Sequence, residues 1–274
     1  MAAPVAIDDP DDPRVAAFRD ISERDLVGRQ GRFIAEGTVV LRMLAAAHAA
    51  GRFRAEQVLI LENRLPGVEA ILDAFPADVP VYVAPARVID AVAGFHLHRG
   101  VLAIGRRPDA APDLDSLIAT LPDRALVLAG CGISNHDNAG SLFRNAAAFG
   151  ADALFLDETS CDPLYRKALR VSVGSVLAVP FVRQGSILDL LEKLDAAGFA
   201  VWGLSPRGEA EVGDIPVGPR MALVMGTEGE GLPQAVMSRF RTARIAQRPH
   251  LDSLNVAMAA GIGLYRIAQL QGRI

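Results

Sequence analysis

The C-terminal half of the sequence alternates short apolar runs with segments of helical periodicity. The run Ala125–Ala129 is apolar without interruption, which is typical of a parallel strand buried on both faces. Further strands are predicted at Ala153–Leu156, Val176–Val179, Ala200–Leu204, Ala222–Met225 and Arg244–Ile245, and helices at Ala139–Phe149, Leu164–Arg170, Ile187–Ala197 and Ser253–Gln269. This alternation predicts an α/β fold with a parallel sheet covered by helices on both faces.

A smaller alternating unit precedes this half. Its predicted strands are Gln57–Leu61, Val79–Val83 and Val101–Ile104, and its predicted helices are Thr38–Ala50, Val68–Phe75 and Ala86–Ala91. The segment 106–123 is rich in Pro and Asp, which predicts a linker with a short helix. We therefore divide the chain into a tail at 1–13, a small α/β domain at 14–105, this linker, and a second domain at 124–274.

Composition narrows the class of protein. The net charge of −4 argues mildly against a nucleic-acid partner, although binding depends on local patches rather than on the total. No apolar run is long enough to span a bilayer, and the aspartates of the tail have the wrong charge for a targeting peptide. Cys131 and Cys161 form no metal-ligand pattern. We expect a soluble cytoplasmic protein with reduced thiols, no membrane partner and no metal.

A glycine-rich turn follows the strand predicted at Ala222–Met225. In Gly226-Thr-Glu-Gly-Glu-Gly231 the glycines allow positive φ and close approach of a ligand to the backbone, and Glu228 supplies a carboxylate. The segment alone is also consistent with an ordinary turn. A dinucleotide-binding turn is a further alternative, although the spacing differs from Gly-x-Gly-x-x-Gly.

The last predicted helix begins with Asp252-Ser-Leu-Asn255. Asp252 or Ser253 is a good N-cap, whereas Asn255 is a poor helix former within a first turn. A side-chain amide beside a helix N-terminus can orient a polar ligand. Gly261 and Gly263 lie inside this helix at a cost of about 1 kcal/mol each relative to alanine, so we expect another backbone to approach closely there, either inside the domain or across a dimer interface.

The third segment with polar residues runs from Asn138 to Gly150, and its polar residues of interest are Asn138 and Arg144. Asn138 is suited to cap the helix that follows, and Arg144 stands in an otherwise apolar run. Because arginine is rarely buried without a partner, the pattern predicts a carboxylate or a bound phosphate next to Arg144. All three segments follow predicted strands, so we expect them at the carboxyl ends of the sheet, where ligands bind.

Together, in this order, the three segments resemble the signature motifs of the SpoU-type (TrmH-type) RNA 2′-O-ribose methyltransferases of the SPOUT superfamily. Arg32–Gly37 and Gly100–Ile104 resemble the beginning and the end of the small L30e-like RNA-binding domain that precedes many of these enzymes. The resemblance implies a parallel-sheet domain with a trefoil knot, a homodimer, S-adenosylmethionine held in the knot, and structured RNA as substrate.

The resemblance also implies roles for individual residues. The implied catalytic residues are Asn138, Arg144, Glu228, Ser253 and Asn255. The implied cofactor-binding residues are Leu204, Ser205, Met225, Gly226, Gly231, Ile245, Ala246, Gln247 and Leu254. The predicted function is methyl transfer from S-adenosylmethionine to a ribose 2′-hydroxyl of tRNA or rRNA.

The implied reaction needs help from the site, because a ribose 2′-hydroxyl is a poor nucleophile. A guanidinium stays protonated in proteins, so we interpret Arg144 as a clamp for the substrate phosphate and a stabiliser of alkoxide charge. The proton leaves to water or to a histidine, and His136 and His250 flank the first and third motifs. Asn138, Ser253 and Asn255 would orient the ribose and the polar groups of the cofactor, and Glu228 would place a carboxylate near the ligand or hold the loop by bonding backbone N–H groups.

The sequence departs from the family pattern in two places. Asn135-His136 stands where the family usually has Asp-Pro, and Ile245-Ala246-Gln247, with Pro249, stands where it usually has Ile-Pro-Met followed by a glycine. These changes leave a second hypothesis, a knotted RNA-binding protein with weak or no activity. A dinucleotide-dependent oxidoreductase is the third. The choice between tRNA and rRNA stays open, with rRNA slightly favoured by the separate N-terminal domain.

Overall fold

The computed structural model describes residues 3–19, 27–28, 30–93, 99–248 and 252–274. The chain divides into two compact units. Met1–Ala111 and Leu164–Ala178 form the first, and Pro112–Pro163 and Val179–Ile274 form the second. The first division falls inside the predicted linker. The sequence does not predict that Leu164–Ala178 belongs to the first unit, because a helical pattern does not indicate which sheet a helix packs against.

The first unit contains a five-stranded mixed sheet. Its strands are β1 (Val5–Ala6), β2 (Arg32–Glu36), β3 (Arg54–Leu61), β4 (Val81–Ala84) and β5 (Val101–Arg106), in the order β1-β4-β3-β5-β2. Its helices are Thr38–Ala49, Glu69–Leu72, Ala86–Ala93 and Arg166–Val171, with 3₁₀ helices at Pro13–Phe18, Glu62–Gly67 and Ser175–Leu177. β5 is antiparallel to β2 and β3, and the other pairs are parallel.

A buried carboxylate lies at the end of β2. Glu36 is only 6% exposed, and its Oε2 lies 3.8 Å from Arg166 Nε and 3.8 Å from Arg170 Nη1. A buried charge is tolerated only when it is paired. These two arginines therefore link the segment Leu164–Ala178 electrostatically to the sheet of the first unit.

The second unit contains a seven-stranded sheet in which every pairing is parallel. Its strands are β6 (Ala125–Gly130), β7 (Ala153–Leu156), β8 (Phe181–Arg183), β9 (Ala200–Leu204), β10 (Ala210–Glu211), β11 (Arg220–Met225) and β12 (Arg241–Arg244), in the order β10-β12-β9-β11-β6-β7-β8. Its helices are Leu114–Ala119, His136–Ala148, Ile187–Ala196, Gln234–Arg239 and Val256–Leu270, with a 3₁₀ helix at Val212–Asp214. Every residue of β6 is buried, and the predicted α/β fold with a parallel sheet is confirmed. No helix of the described residues has the length and apolarity needed to cross a membrane.

One predicted strand is wrong. The run Val176–Val179 begins within a 3₁₀ helix, and the neighbouring strand is β8. Val173 and Gly174, which precede the run, have left-handed backbone, with φ of 54° and 80°, and Gly174 is the N-cap from which the 3₁₀ helix begins. Val176 and its neighbour are fully buried, so this apolar run indicated burial rather than a strand.

Other boundaries also differ from the prediction. The strand predicted at Arg244–Ile245 is β12, which ends at Arg244. β2 and the helix Gln234–Arg239 were not predicted. These segments are short and mix polar with apolar residues, so neither the alternation of a strand nor the periodicity of a helix is evident in the sequence.

The two glycines of the C-terminal helix Val256–Leu270 lie against side chains. A Cβ on Gly263 would lie 2.7 Å from Leu223 Cδ2 and 3.1 Å from Leu204 Cδ1. A Cβ on Gly261 would lie 3.3 Å from Asn145 Nδ2. Within the chain, the expectation that another backbone approaches the helix is therefore wrong, because leucines of β9 and β11 occupy the space at Gly263. The alternative of a close approach across a dimer interface stays a prediction.

We predict that Gly263→Val lowers the free energy of unfolding by about 1–3 kcal/mol, because the added methyl groups overpack the contact with Leu223. Gly261→Ala is the matched control. The nearest atoms to its new methyl group belong to the Asn145 side chain, at 3.3 Å or more, and alanine favours the helix, so we expect a change below about 1 kcal/mol. Urea unfolding measures both variants. Equal stabilities would contradict the packing described for Gly263.

Both cysteines are free thiols in protected surroundings. Burial, with a contribution from the Asp157 carboxylate, raises the pKa of Cys131 to about 12. Burial likewise raises the pKa of Cys161 to about 11, with a contribution from Asp162. Because the thiolate is the reactive form, both side chains should be poor nucleophiles near neutral pH.

We predict that iodoacetamide at pH 8 alkylates the native protein at least about 100-fold more slowly than the urea-unfolded chain, because raised pKa values keep both thiols protonated. Mass spectrometry of timed samples measures the two rates. A native cysteine that reacts at the unfolded rate would contradict the burial described here.

Candidate active site

A pocket opens at the carboxyl ends of three neighbouring strands of the second unit. β12, β9 and β11 lie side by side, with Leu204 paired to Ala243 on one side and to Met225 on the other. The loops after these strands and the start of the C-terminal helix enclose a cavity of about 540 Å³, a size typical of small-molecule sites. Its wall includes the predicted residues Leu204, Ser205, Met225, Gly226, Glu228, Gly231, Ile245, Gln247, Ser253, Leu254 and Asn255.

Several residues of the wall are absent from the predicted site. They are Pro206, Arg207, Thr227, Gly229, Glu230, Asp252, Val256 and Ala259. The sequence contains one signal for the first two, a Ser-Pro-Arg-Gly turn directly after a predicted strand. Conversely, Ala246 is exposed and does not line the cavity. Pro249 and His250 lie outside the described residues.

The glycine turn closes on itself. The Gly231 N–H donates to the Thr227 carbonyl at 3.0 Å. A Cβ on Gly226 would lie 2.2 Å from the carbonyl carbon of Gly231, so only glycine fits at that position. Gly229 and Gly231 need glycine for a different reason, since their φ values are 95° and 75°. The turn therefore holds Glu228 at a fixed place beside the cavity.

The start of the C-terminal helix differs from the prediction. The helix begins at Val256, and Asn255 is its N-cap rather than a residue of the first turn. Asn255 Oδ1 accepts hydrogen bonds from Ala257 N at 2.9 Å and from Met258 N at 3.3 Å. Asn has the same capping chemistry as Ser or Asp, so the sequence alone does not distinguish the candidate caps.

The role predicted for Asn138 as a helix cap is also wrong. Asn135 caps the helix His136–Ala148, and its Oδ1 accepts from Asp137 N at 2.8 Å. Asn138 lies in the first turn and is only 6% exposed. A buried side-chain amide needs hydrogen-bond partners, and these come from the other two motifs.

A hydrogen-bond network joins the three motifs. Asn138 Nδ2 donates to Glu228 Oε1. Asn255 Nδ2 donates to Asn138 Oδ1 at 2.9 Å and lies 3.4 Å from Glu228 Oε1. Asn138 thus uses its donor and its acceptor to hold the glycine turn and the helix cap together at the edge of the pocket.

Arg144 does not belong to this network. It is exposed on the helix His136–Ala148, and it does not line the cavity. Leu142 and Phe143 are fully buried, so the helical turn directs the next residue to solvent. The expectation that Arg144 is buried is therefore wrong, and among the described residues it forms no ion pair with a carboxylate. The alternative of a bound phosphate stays a prediction.

The wall of the pocket contains charges of both signs. Glu228, Glu230 and Asp252 supply carboxylates, and Arg207 supplies a guanidinium; all four residues are exposed. Among the described residues, no group of three or more His, Cys, Asp or Glu side chains is arranged to hold a metal ion. Apolar side chains make up much of the remaining wall. Together with its position at the strand ends, this arrangement is suited to a small ligand with apolar and charged parts, as in other α/β domains that bind ligands at this edge of the sheet.

Comparison with known proteins identifies the family. Residues 125–265 match the model of the SpoU rRNA methylase family. The chain is 37% identical to an uncharacterized tRNA/rRNA methyltransferase of Mycobacterium bovis, over 94% of this chain and 89% of that protein. It is 30% identical to a 23S rRNA (guanosine-2′-O-)-methyltransferase of a Burkholderia species, over 70% of this chain and 78% of that protein.

A solved structure has the same fold. The AdoMet-bound rRNA methyltransferase from Sinorhizobium meliloti superposes with a TM-score of 0.81 at 24% identity, covering 97% of this chain and 98% of that one. The chain belongs to the SpoU family of RNA methyltransferases. The resemblance inferred from the three motifs is confirmed.

We predict that Asn138→Asp destabilises the protein by about 2–4 kcal/mol at pH 7. The substitution places a buried carboxylate next to the carboxylate of Glu228, and it removes the amide group that donates to Glu228. The same repulsion raises the pKa of the new carboxyl group in the folded state. The loss should therefore be complete above that pKa and shrink as the pH falls and the group becomes protonated. Urea unfolding between pH 7 and pH 5 measures this dependence.

Asn135→Asp is the matched control for this variant. It makes the same substitution in the same helix, but at an exposed N-cap where aspartate is equally suitable. We expect a change below about 0.5 kcal/mol. A loss for Asn138→Asp that matches the control, or that grows toward pH 5, would contradict the network.

Proposed function

We propose that this protein transfers a methyl group from S-adenosylmethionine to a ribose 2′-hydroxyl of rRNA or tRNA. The observation on which the proposal rests is the Asn138–Glu228–Asn255 network, because it brings the three motifs to the edge of one pocket. The name of the Burkholderia relative, a guanosine-2′-O-methyltransferase, supports a ribose oxygen as the target. The first unit would provide additional contacts to a structured RNA, and this favours rRNA over tRNA as the substrate.

The pocket is suited to S-adenosylmethionine. Leu204, Met225 and Leu254 would supply apolar walls for the adenine, and the turn Gly226–Gly231 would bring backbone groups close to the ligand. The AdoMet bound to the Sinorhizobium relative supports this assignment. The cofactor, when bound, supplies a sulfonium methyl group as the electrophile.

The residues of the chain would bind and orient the RNA. The ribose oxygen would take the methyl group as the carbon–sulfur bond of the donor breaks to leave a neutral thioether, and the hydroxyl proton would pass to water or to His136. Arg144 would clamp a neighbouring phosphate and stabilise the negative charge that develops on this oxygen. Asn138 and Asn255 hold the Glu228 carboxylate at the pocket edge, where it would orient the ribose.

We propose a homodimer, because Arg144 lies outside the pocket of its own chain. Met258, Ile262 and Tyr265 are 60%, 37% and 50% exposed, and their spacing places them on one face of the C-terminal helix. Exposed apolar patches of this kind are typical of protein interfaces. Arg144, on the helix that packs beside this one, would flank the interface and reach a substrate in the partner's pocket.

The proposed function also implies structural properties of both units. The second unit would be knotted, as in SPOUT enzymes, and the first would be an L30e-like domain that binds structured RNA. Arg166 and Arg170 lie beside Glu36 and have side chains that are 31% and 45% exposed. Guanidinium groups at such a surface are suited to phosphate contacts.

A second candidate function is RNA binding without turnover. It is favoured by the altered loop after β12, in which Gln247 lines the cavity where the family usually has methionine. This candidate predicts that the protein binds RNA but does not bind S-adenosylhomocysteine. Calorimetry with S-adenosylhomocysteine therefore separates the two functions.

We predict that Arg144→Ala reduces methyl transfer at least about 100-fold, because it removes the stabilisation of the alkoxide. Its affinity for S-adenosylhomocysteine should stay within about twofold of the original, since Arg144 does not line the cavity. Transfer of labelled methyl groups to RNA from a deletion strain measures activity, and calorimetry measures binding. Resistance of the product to alkaline cleavage identifies the 2′-O position.

Arg239→Ala is the control, because Arg239 is an exposed arginine of the same unit whose ion pair is with Glu192. It should leave both measurements unchanged. Equal losses of activity and of cofactor binding in Arg144→Ala would contradict the proposed division of roles. A methylated base, in place of a methylated ribose, would contradict the proposed reaction.

A further inference from the structure

Arg207 is a cationic residue in the wall of the pocket. It is exposed, and within the part of the chain that the structure describes its guanidinium forms no ion pair with a carboxylate. The acidic residues of the same wall are Glu228, Glu230 and Asp252. A guanidinium and several carboxylates around an apolar cavity are suited to a ligand that has both an anionic and a cationic group.

The turn that presents Arg207 is held in place from both sides. Gly208 N donates to the Ser205 carbonyl at 2.9 Å, and Arg207 N donates to Ser205 Oγ at 3.2 Å. Arg244 Nη1 donates to the Gly208 carbonyl at 2.9 Å. A Cβ on Gly208 would lie 2.2 Å from the carbonyl carbon of Ala243, so the turn lies directly against β12. A fixed backbone lowers the entropy that a ligand contact from Arg207 would cost.

The chemistry of the proposed cofactor provides one suitable anion. S-adenosylmethionine has an α-carboxylate and an α-ammonium group at its amino-acid end, and its adenosine end has no negative charge. A guanidinium pairs with a carboxylate through two parallel hydrogen bonds, which gives both energy and orientation. The ammonium group would then face the acidic residues of the wall.

We propose that Arg207 binds the α-carboxylate of the methyl donor and so selects a donor with an intact amino-acid end. This inference rests on the proposed function, because it takes the pocket to be the site of S-adenosylmethionine. It assigns a specificity-determining role to a residue that the three motifs do not include.

Calorimetry on the full chain tests the inference with two ligands. One is S-adenosylhomocysteine, and the other is its decarboxylated analogue, which retains the adenosine, the thioether and the amine. We expect the unmodified protein to bind S-adenosylhomocysteine about 10- to 100-fold more tightly. Arg207→Ala should bind the two ligands equally. Arg207→Lys should retain part of the preference, because it keeps the charge but not the planar fork.

Arg248→Ala is the matched control. Arg248 is an exposed arginine next to Gln247, on the loop that follows β12, and it does not line the cavity. Its loss changes the net charge equally, so the full preference for the carboxylate should remain. Circular dichroism establishes that each variant is folded, and Arg207→Gln replaces Arg207→Ala if the alanine variant is not.

The outcomes separate this inference from the proposed function. The inference is overturned if Arg207→Ala still binds S-adenosylhomocysteine more tightly than the decarboxylated analogue. It is also overturned if Arg207→Ala loses the same factor of affinity for both ligands, which would indicate a structural role. An unchanged preference with weaker RNA binding would assign Arg207 to an RNA phosphate and also overturns it. If the unmodified protein binds neither ligand, the proposed function fails as well. If it binds both equally, only the inference fails.

Discussion

The side-chain amide of Asn138 joins three segments that are far apart in the sequence. It donates to Glu228 on the glycine turn and accepts from Asn255 on the C-terminal helix. Asn138 is buried, so an unpaired amide would cost free energy, and both partners are needed to satisfy it. The same Asn255 side chain caps the helix. One buried amide therefore determines where the carboxylate, the helix start and the wall of the pocket lie relative to each other.

The parallel sheet determines where this arrangement can bind a ligand. The carboxyl ends of β12, β9 and β11 lie together, so the three loops that follow them surround one cavity. The loops pack closely at two points, because Gly226 and Gly208 each lie against backbone with no room for a side chain. Arg144, which would contact the substrate outside the cavity, lies on a helix surface that is exposed in the single chain. The proposed dimer follows from this separation of the binding site from Arg144.

Much of the second unit can be predicted from its sequence, and the reason is burial. Ala153–Leu156 and Ala200–Leu204 are predicted with the bounds observed, because strands buried between helices are continuous apolar runs. Apolar runs fail as a guide where burial occurs without a strand, as at Val176–Val179. The wall of the pocket is largely predicted by the family resemblance, whereas Arg207 is not. The turn after β9 and the helix that carries Arg144 can both be predicted, but the sequence does not show which way their arginine side chains point, because that depends on how each element packs on the sheet.

Hydrogen exchange with and without S-adenosylhomocysteine tests the central claim most directly, because it reports on each loop of the pocket in one experiment. We expect slower exchange on binding in the described segments 204–208, 226–231, 245–248 and 252–258 together, with little change in the first unit. Binding that leaves any one of these segments unprotected, or that protects a different surface, would contradict a single pocket built by the loops after β12, β9 and β11 and by the start of the C-terminal helix.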